Sequence, residues 1–157
     1  MKTASRGFTL IELLVVIAII GILSSVVLAS LAITRSKSRD TRRIQDARQV
    51  ITALELHLDR YGYYPGTPDS WYGSNTGDQW IPDLVDEFIP VLPQDPVNLN
   101  TYPDAPELVY YYATNGTEYC FQISQENDCS DSPYYDGVWG GTCKLSFETS
   151  PAYCDSL

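Results

Sequence analysis

The sequence predicts an α+β chain: a long N-terminal helix, membrane-spanning over its first half, packed on a small antiparallel β-sheet head. Three observations carry this. From Phe8 to Ile33 the one formal charge is Glu12, and Leu13 to Ile33 carry none. At 1.5 Å per residue those 21 residues make roughly 31 Å of helix, about the hydrocarbon thickness of a bilayer. Further on, Ile44, Ala47, Ile51, Leu54, Leu58 and Tyr61 recur at spacings of three and four, a single apolar stripe on a helix. Then Leu108–Ala113 and Glu118–Ile123 flank Thr114-Asn115-Gly116-Thr117, and Asn-Gly between such runs is a strong hairpin signal.

The apolar run has two features foreign to an ordinary anchor. A carboxylate, Glu12, sits inside it, where a charge costs on the order of 2.5–3.5 kcal/mol at mid-bilayer and less near the edge. A polar leader, Met-Lys-Thr-Ala-Ser-Arg-Gly, ends in Gly7 directly before Phe8. Leu, Ile, Val and Ala fill the run; Ser24, Ser25 and Ser30 can bond back to the preceding turn, and Gly21 is its weak point for helicity.

Arg6-Gly7-Phe8-Thr9-Leu10-Ile11-Glu12-Leu13-Leu14 closely resembles the processing and assembly signature of type IV pilins and of the pseudopilins of type II secretion. The resemblance covers roughly residues 5 to 34. It implies that a dedicated prepilin peptidase cuts between Gly7 and Phe8 on the cytoplasmic side and N-methylates Phe8, and that Glu12 guides the subunit into a filament. The chain then divides into a leader (1–7), a long helix (8–61, of which 8–33 is the membrane and assembly segment) and a head (62–157).

No proline interrupts residues 8–60, so one helix of about 50 residues, roughly 80 Å long, is expected. Arg39, Arg42, Arg43, Gln49 and Arg60 fill the face away from the stripe, with His57 at its rim. Gly62 supplies a C-cap and Pro65 forbids continuation. Residues 66–107 read as an irregular, surface-decorating connection broken by Pro90, Pro93, Pro96, Pro103 and Pro106. Within it Asp83–Ile89 could form a helical turn or two, with Asp83, Asp86 and Glu87 along a solvated edge. Tyr119, Phe121 and Ile123 alternate with Glu118, Cys120 and Gln122, placing one apolar face on the helix stripe. A further strand is expected over Cys143–Phe147. Asn115-Gly116-Thr117 also matches a glycosylation sequon, which the turn explains without modification.

Cys120, Cys129, Cys143 and Cys154 all lie in the last 38 residues, an even count that reads as two disulfides in an oxidising compartment. Three pairings are open; nested Cys129–Cys143 and Cys120–Cys154 bridges are favoured because they close the tail onto the hairpin strand. A zinc site is disfavoured: no Cys-x2-Cys pair exists and His57 is far back in sequence. The cysteines place the head outside the cytoplasm. Against this stand Arg35, Lys37, Arg39, Arg42 and Arg43 just after the span, which the positive-inside rule alone would keep inside. The leader motif and the disulfides override that rule, since long domains translocate largely regardless of charge.

Residues 61–157 hold fifteen acids against Lys144, a net of −14. Such a head repels phosphate backbones, so no nucleic acid is expected to bind it. No catalytic constellation appears: there is one histidine, no Ser/His/Asp arrangement and no phosphate-cradling glycine loop. No cofactor is expected. The resemblance raises calcium, because major pseudopilins carry it in the loops of the head. Asp95, Asn98, Asn100 and Asp104, or Asp128, Asp131 and Asp136, offer oxygen ligands, though neither run has EF-hand spacing. Trp71, Tyr72, Tyr134, Tyr135 and Trp139 fall in loop-like sequence, as core packing by default or as a contact surface.

The function expected is a structural one: a subunit of a type IV pilus-like filament, single-pass in the inner membrane before assembly. Its partners would be other copies, the prepilin peptidase, the inner-membrane assembly machinery and membrane lipid. The alternatives are a pseudopilin of type II secretion, a competence pilin for DNA uptake, against which the acidic head weighs, and a plain membrane-anchored periplasmic domain.

Overall fold

The computed structural model describes residues 8–98, 108–139 and 142–156. Helix α1 runs Leu10–Tyr61. By packing the chain divides into two compact parts, Met1–Ser36 and Lys37–Leu157. In the first part every described side chain from Leu10 to Arg35 is exposed. This stretch of helix is long and apolar enough to cross a membrane. Ser25 donates to the Ile22 carbonyl at 2.7 Å and Thr34 to the Ser30 carbonyl at 2.9 Å, so these hydroxyls are satisfied within the helix.

In the second part, the remainder of α1 packs on a five-stranded antiparallel sheet. The strands are β1 (Ser70–Gly73), β2 (Tyr111–Thr114), β3 (Tyr119–Gln125), β4 (Tyr135–Trp139) and β5 (Thr142–Glu148), in the order β1-β2-β3-β5-β4. A short helix, α2 (Pro151–Ser156), follows. In register, Tyr112 faces Phe121 and Phe121 faces Phe147. With Ile123 and Leu145 they meet Ala47, Val50, Ala53 and Leu54 of α1 in one core.

α1 ends as expected: Gly62, at φ 80°, donates its N–H to the Leu58 carbonyl at 2.7 Å. The hairpin forms, but shifted by one residue from a turn centred on Asn-Gly. Asn115 N–H bonds the Glu118 carbonyl at 3.2 Å, leaving Gly116 and Thr117 as the turn pair with positive φ at Gly116 alone. That is the type II′ pattern. The Asn115 side-chain oxygen accepts from Thr117 and Glu118, and its amide donates to Glu118.

Several expectations are corrected. The buried face of α1 is rotated from the expected stripe: Ile44, Ile51 and Leu58 lie at its border and Tyr61 is exposed, while Arg43 and His57 are buried. The sheet and the connecting segment together cover a wider arc than a seam, and both polar residues have partners inside it. For His57 the partner is the Tyr63 carbonyl, 2.9 Å from Nδ1. The irregular connection is not mere decoration. It contributes β1, and its apolar islands Trp80, Ile81, Leu84 and Leu92 are core. Asp83–Ile89 is not helical, because Asp83 and Asp86 adopt positive φ and an isolated bridge joins Val85 to Ile89. Cys120 and Gln122, placed on the outer face of β3, are buried too, for α2 packs on β3 and β5. Tyr135–Trp139 is a strand rather than a loop, and the Tyr134 ring stacks 4.4 Å from that of Phe147.

The bridges are Cys120–Cys154 and Cys129–Cys143, and no cysteine is free, so the thiols offer no zinc ligands. The inner bridge closes a 14-residue step and the outer one 34 residues. In the loop-entropy account each is worth about 3–4 kcal/mol if taken alone. The outer one pins α2, a helix of six residues too short to persist by itself.

Candidate functional site

Gly7 lies outside the described residues; Phe8 is described, exposed, and precedes α1. Thr9 and Glu12 form a capping box. The Thr9 N–H donates to Glu12 Oε2 at 2.8 Å, the Thr9 hydroxyl donates to the same oxygen at 2.6 Å, and the Glu12 N–H reaches the Thr9 hydroxyl at 3.4 Å. The Thr-x-x-Glu spacing is plain in the sequence but is hidden behind the reading of Glu12 as an isolated charge. Two consequences follow. The carboxylate sits at the positive end of the helix dipole, so it is not bare in an apolar setting. Both accepted bonds fall on Oε2, and Oε1 accepts none among the described residues.

A second polar centre lies at the base of the head. The Arg43 side chain has no exposure, and its guanidinium grips both oxygens of the equally buried Asp95 at 2.6 and 2.9 Å. Arg43 also donates to Asp40 at 2.7 Å and to Glu126 at 2.8 Å. Arg39 bonds both oxygens of Glu126, and Asp40 accepts the backbone N–H groups of Glu126 and Asn127 at 2.9 and 3.0 Å. One helical turn of α1 thus fastens the segment before residue 99 and the segment after β3. Burial opposes the Arg43 charge, but the bonds and charge of Asp95, then Glu126 and Asp40, outweigh it and hold the group protonated above its usual range.

Glu126 is held down to about 2, first by the Arg39 hydrogen bond, against burial and with help from Arg43. A carboxyl depressed in the folded state stabilises fully above its unfolded value, near 4.5, and that contribution is lost as pH falls toward about 2. The thermal midpoint should therefore drop across that window. Glu126→Gln should lower it at neutral pH and flatten the acid slope; an unchanged slope in the variant would contradict the assignment.

The calcium candidates fare poorly. Asp95 is spent on Arg43 and on the N–H groups of Val97 and Asn98, and Asn98 hydrogen-bonds the Ser74 hydroxyl. A calcium ion there would strip a buried arginine of its partner. Asn100 and Asp104 lie outside the described residues. In the other run, Asp128 caps Ser130 at 3.0 Å, and Asp136 accepts from Ser146 at 2.6 Å with Lys144 at 3.6 Å.

A family profile described as the prokaryotic N-terminal methylation motif matches residues 2–28. Type II secretion system core protein G of Klebsiella michiganensis is 36% identical over 103 residues, 60% of this chain and 70% of the relative. Core protein G of Dickeya chrysanthemi is 35% identical over 105 residues, 61% of this chain and 65% of that protein. The type IV major fimbrial protein FimA of Dichelobacter nodosus is 40% identical over 58 residues, 37% of each chain. The chain thus spans about two thirds of the secretion proteins it matches and little over a third of the fimbrial one. No solved structure matches it significantly.

Proposed function

Because the chain belongs to the family of type IV pilins and type II secretion pseudopilins, we propose that it is a structural subunit of a pilus-like filament, held in the inner membrane until it is assembled. The observation that carries this is the exposed apolar half of α1 with a capped carboxylate at its start. A helix apolar on all sides must be covered by lipid or by like helices. Membrane storage supplies the first cover and a filament core the second. A prepilin peptidase removes residues 1–7 and methylates Phe8, and inner-membrane machinery drives assembly. The head, stapled by two disulfides, works outside the cytoplasm as a building block and not as a catalyst.

Oε1 of Glu12 gives assembly a register device. Cleavage leaves a cationic amine on Phe8, and a neighbour's amine can dock on the open oxygen without dismantling the capping box. A subunit at the wrong height would leave both charges unmatched in an apolar core.

The alternative of a secretion pseudopilus is favoured by the length of the matches. Those to core protein G run past 100 residues, while the 58-residue fimbrial match is too short to hold both the helix and the head. Both readings share the processing step. Co-expressed with a prepilin peptidase and its assembly system, the wild-type chain should yield sheared filaments. Gly7→Val, whose side chain blocks the cleavage pocket, should keep its leader and yield none. Filaments from uncleaved Gly7→Val would overturn the proposal.

A further inference from the structure

Independently of the filament reading, we propose that the outer bridge, Cys120–Cys154, is an exchangeable one, opened and closed through Cys154 by a dithiol partner, with Glu148 as the proton carrier for Cys120. The two bridges sit in different settings. Cys129 and Cys143 are both buried, 7% and 6% exposed, and belong to the core packed under α1. In the outer bridge Cys120 has no exposure, but Cys154 is half-buried and lies on the six-residue helix α2. A dithiol can therefore reach Cys154 and not Cys120, and access decides which sulfur is attacked. Glu148 stands directly opposite Cys120 in the β3–β5 register, and its carboxylate and the two sulfurs all lie within 4.8 Å of one another.

That placement answers a chemical difficulty. Attack at Cys154 expels Cys120 as the leaving group, and a thiolate shut away from water is a poor one. A proton delivered as the bond breaks removes the charge. Burial, then the charges of Asp136 on β4 and Asp155 on α2, hold the Glu148 carboxyl above its usual range, so it keeps a proton to give in milder acid than an ordinary carboxyl does. Lys144, the cation on the same strand, is paired with Asp136 at 3.6 Å. In opening, the partner's thiolate, its proton already given to water, forms a bond to the Cys154 sulfur. The Cys154–Cys120 bond breaks, and its electron pair leaves on Cys120, which takes the Glu148 proton. The partner's second thiol then loses its proton, attacks the mixed disulfide and frees Cys154, which takes a proton from water. The bridge is thereby reduced by two electrons, the partner is oxidised to a disulfide, and Glu148 regains its proton from water. Closing runs the same steps backwards, with the Glu148 carboxylate as base for Cys120. Opening unpins α2 from β3 and β5, while the inner bridge keeps the core closed.

The test treats the oxidised full chain in detergent with dithiothreitol, quenches with iodoacetamide and maps the alkylated cysteines by mass spectrometry. Cys120 and Cys154 should be alkylated well before Cys129 and Cys143. With glutathione, a monothiol, the mixed disulfide should form on Cys154 and the alkyl group should appear on Cys120. Opening rates are then divided by the fraction of dithiothreitol present as thiolate at each pH. For wild type the corrected rate should fall from acid to neutral pH as Glu148 loses its proton. In Glu148→Gln it should be lower by about a hundredfold at the acid end, the low end of what a positioned acid contributes, and should not vary with pH. Asp155→Asn, at an exposed position, removes one repelling charge and should move the fall to lower pH. That variant decides the matter if Glu148→Gln fails to fold, which the emission of the core residue Trp80 reports. A merely structural Glu148 would leave the shape of the profile unchanged. Opening of both bridges together, a glutathione adduct on Cys120, or one pH profile shared by wild type and the two variants would overturn the proposal.

Discussion

Glu12→Ala should insert and lose its leader normally, yet filament yield should fall to nearly nothing. The neighbour's amine would then be buried without a partner, at an effective cost of several kcal/mol in every subunit added. Glu12→Asp should be partly tolerated, since it keeps the charge and loses one methylene of reach. The competing account has Glu12 merely reaching the headgroups, only about 6 Å along the helix from Phe8, and predicts normal filaments from Glu12→Ala and Glu12→Gln. The capping box demands a further control. Thr9→Ala removes the cap, worth about 1 kcal/mol, but leaves the carboxylate. It should therefore reduce yield much less than Glu12→Ala. Equal collapse in both would assign the effect to the helix start instead of to charge pairing. Filament yield per processed subunit is the measurement.

Arg43→Met should cost the head about 3–5 kcal/mol, the usual penalty when one partner of a buried ion pair is removed. Asp95, with no side-chain exposure, would lose its charge partner and keep only the N–H groups of Val97 and Asn98, and Asp40 and Glu126 would each lose a donor. The double variant Arg43→Met with Asp95→Leu should recover much of the loss, because neither charge then remains buried. Denaturant unfolding followed by tryptophan emission reads this directly, Trp80 being in the core. A single variant as stable as wild type would mean that the network contributes nothing.

What the sequence displayed well is whatever has a period or a fixed turn chemistry. The apolar run, the end of α1 at Gly62, the hairpin over residues 111–125 and the strand around Cys143–Phe147 each have such a signature. What it hid depends on partners distant in sequence. Arg43 looked like a solvated charge because nothing local announces Asp95, 52 residues on, or Glu126, 83 on. β1 sits among prolines and glycines and is a strand only because Trp71 and Tyr72 pair with Ala113 and Tyr112. The outer face of β3 looked solvated because six residues at the far end of the chain, tied by Cys154, cover it. For the N-terminal site the case is reversed. Phe8 and Glu12 stood out by type and place, and the bond from Thr9 was overlooked although its spacing was visible.

The central claim is that this chain becomes a building block only after its leader is cut away. The intact mass of the protein recovered from sheared filaments, with both disulfides left closed, tests it most directly. The account predicts a chain that begins at Phe8, lacks residues 1–7 and carries one added methyl group on its terminal amine. Filaments built from chains that still begin at Met1 would contradict it.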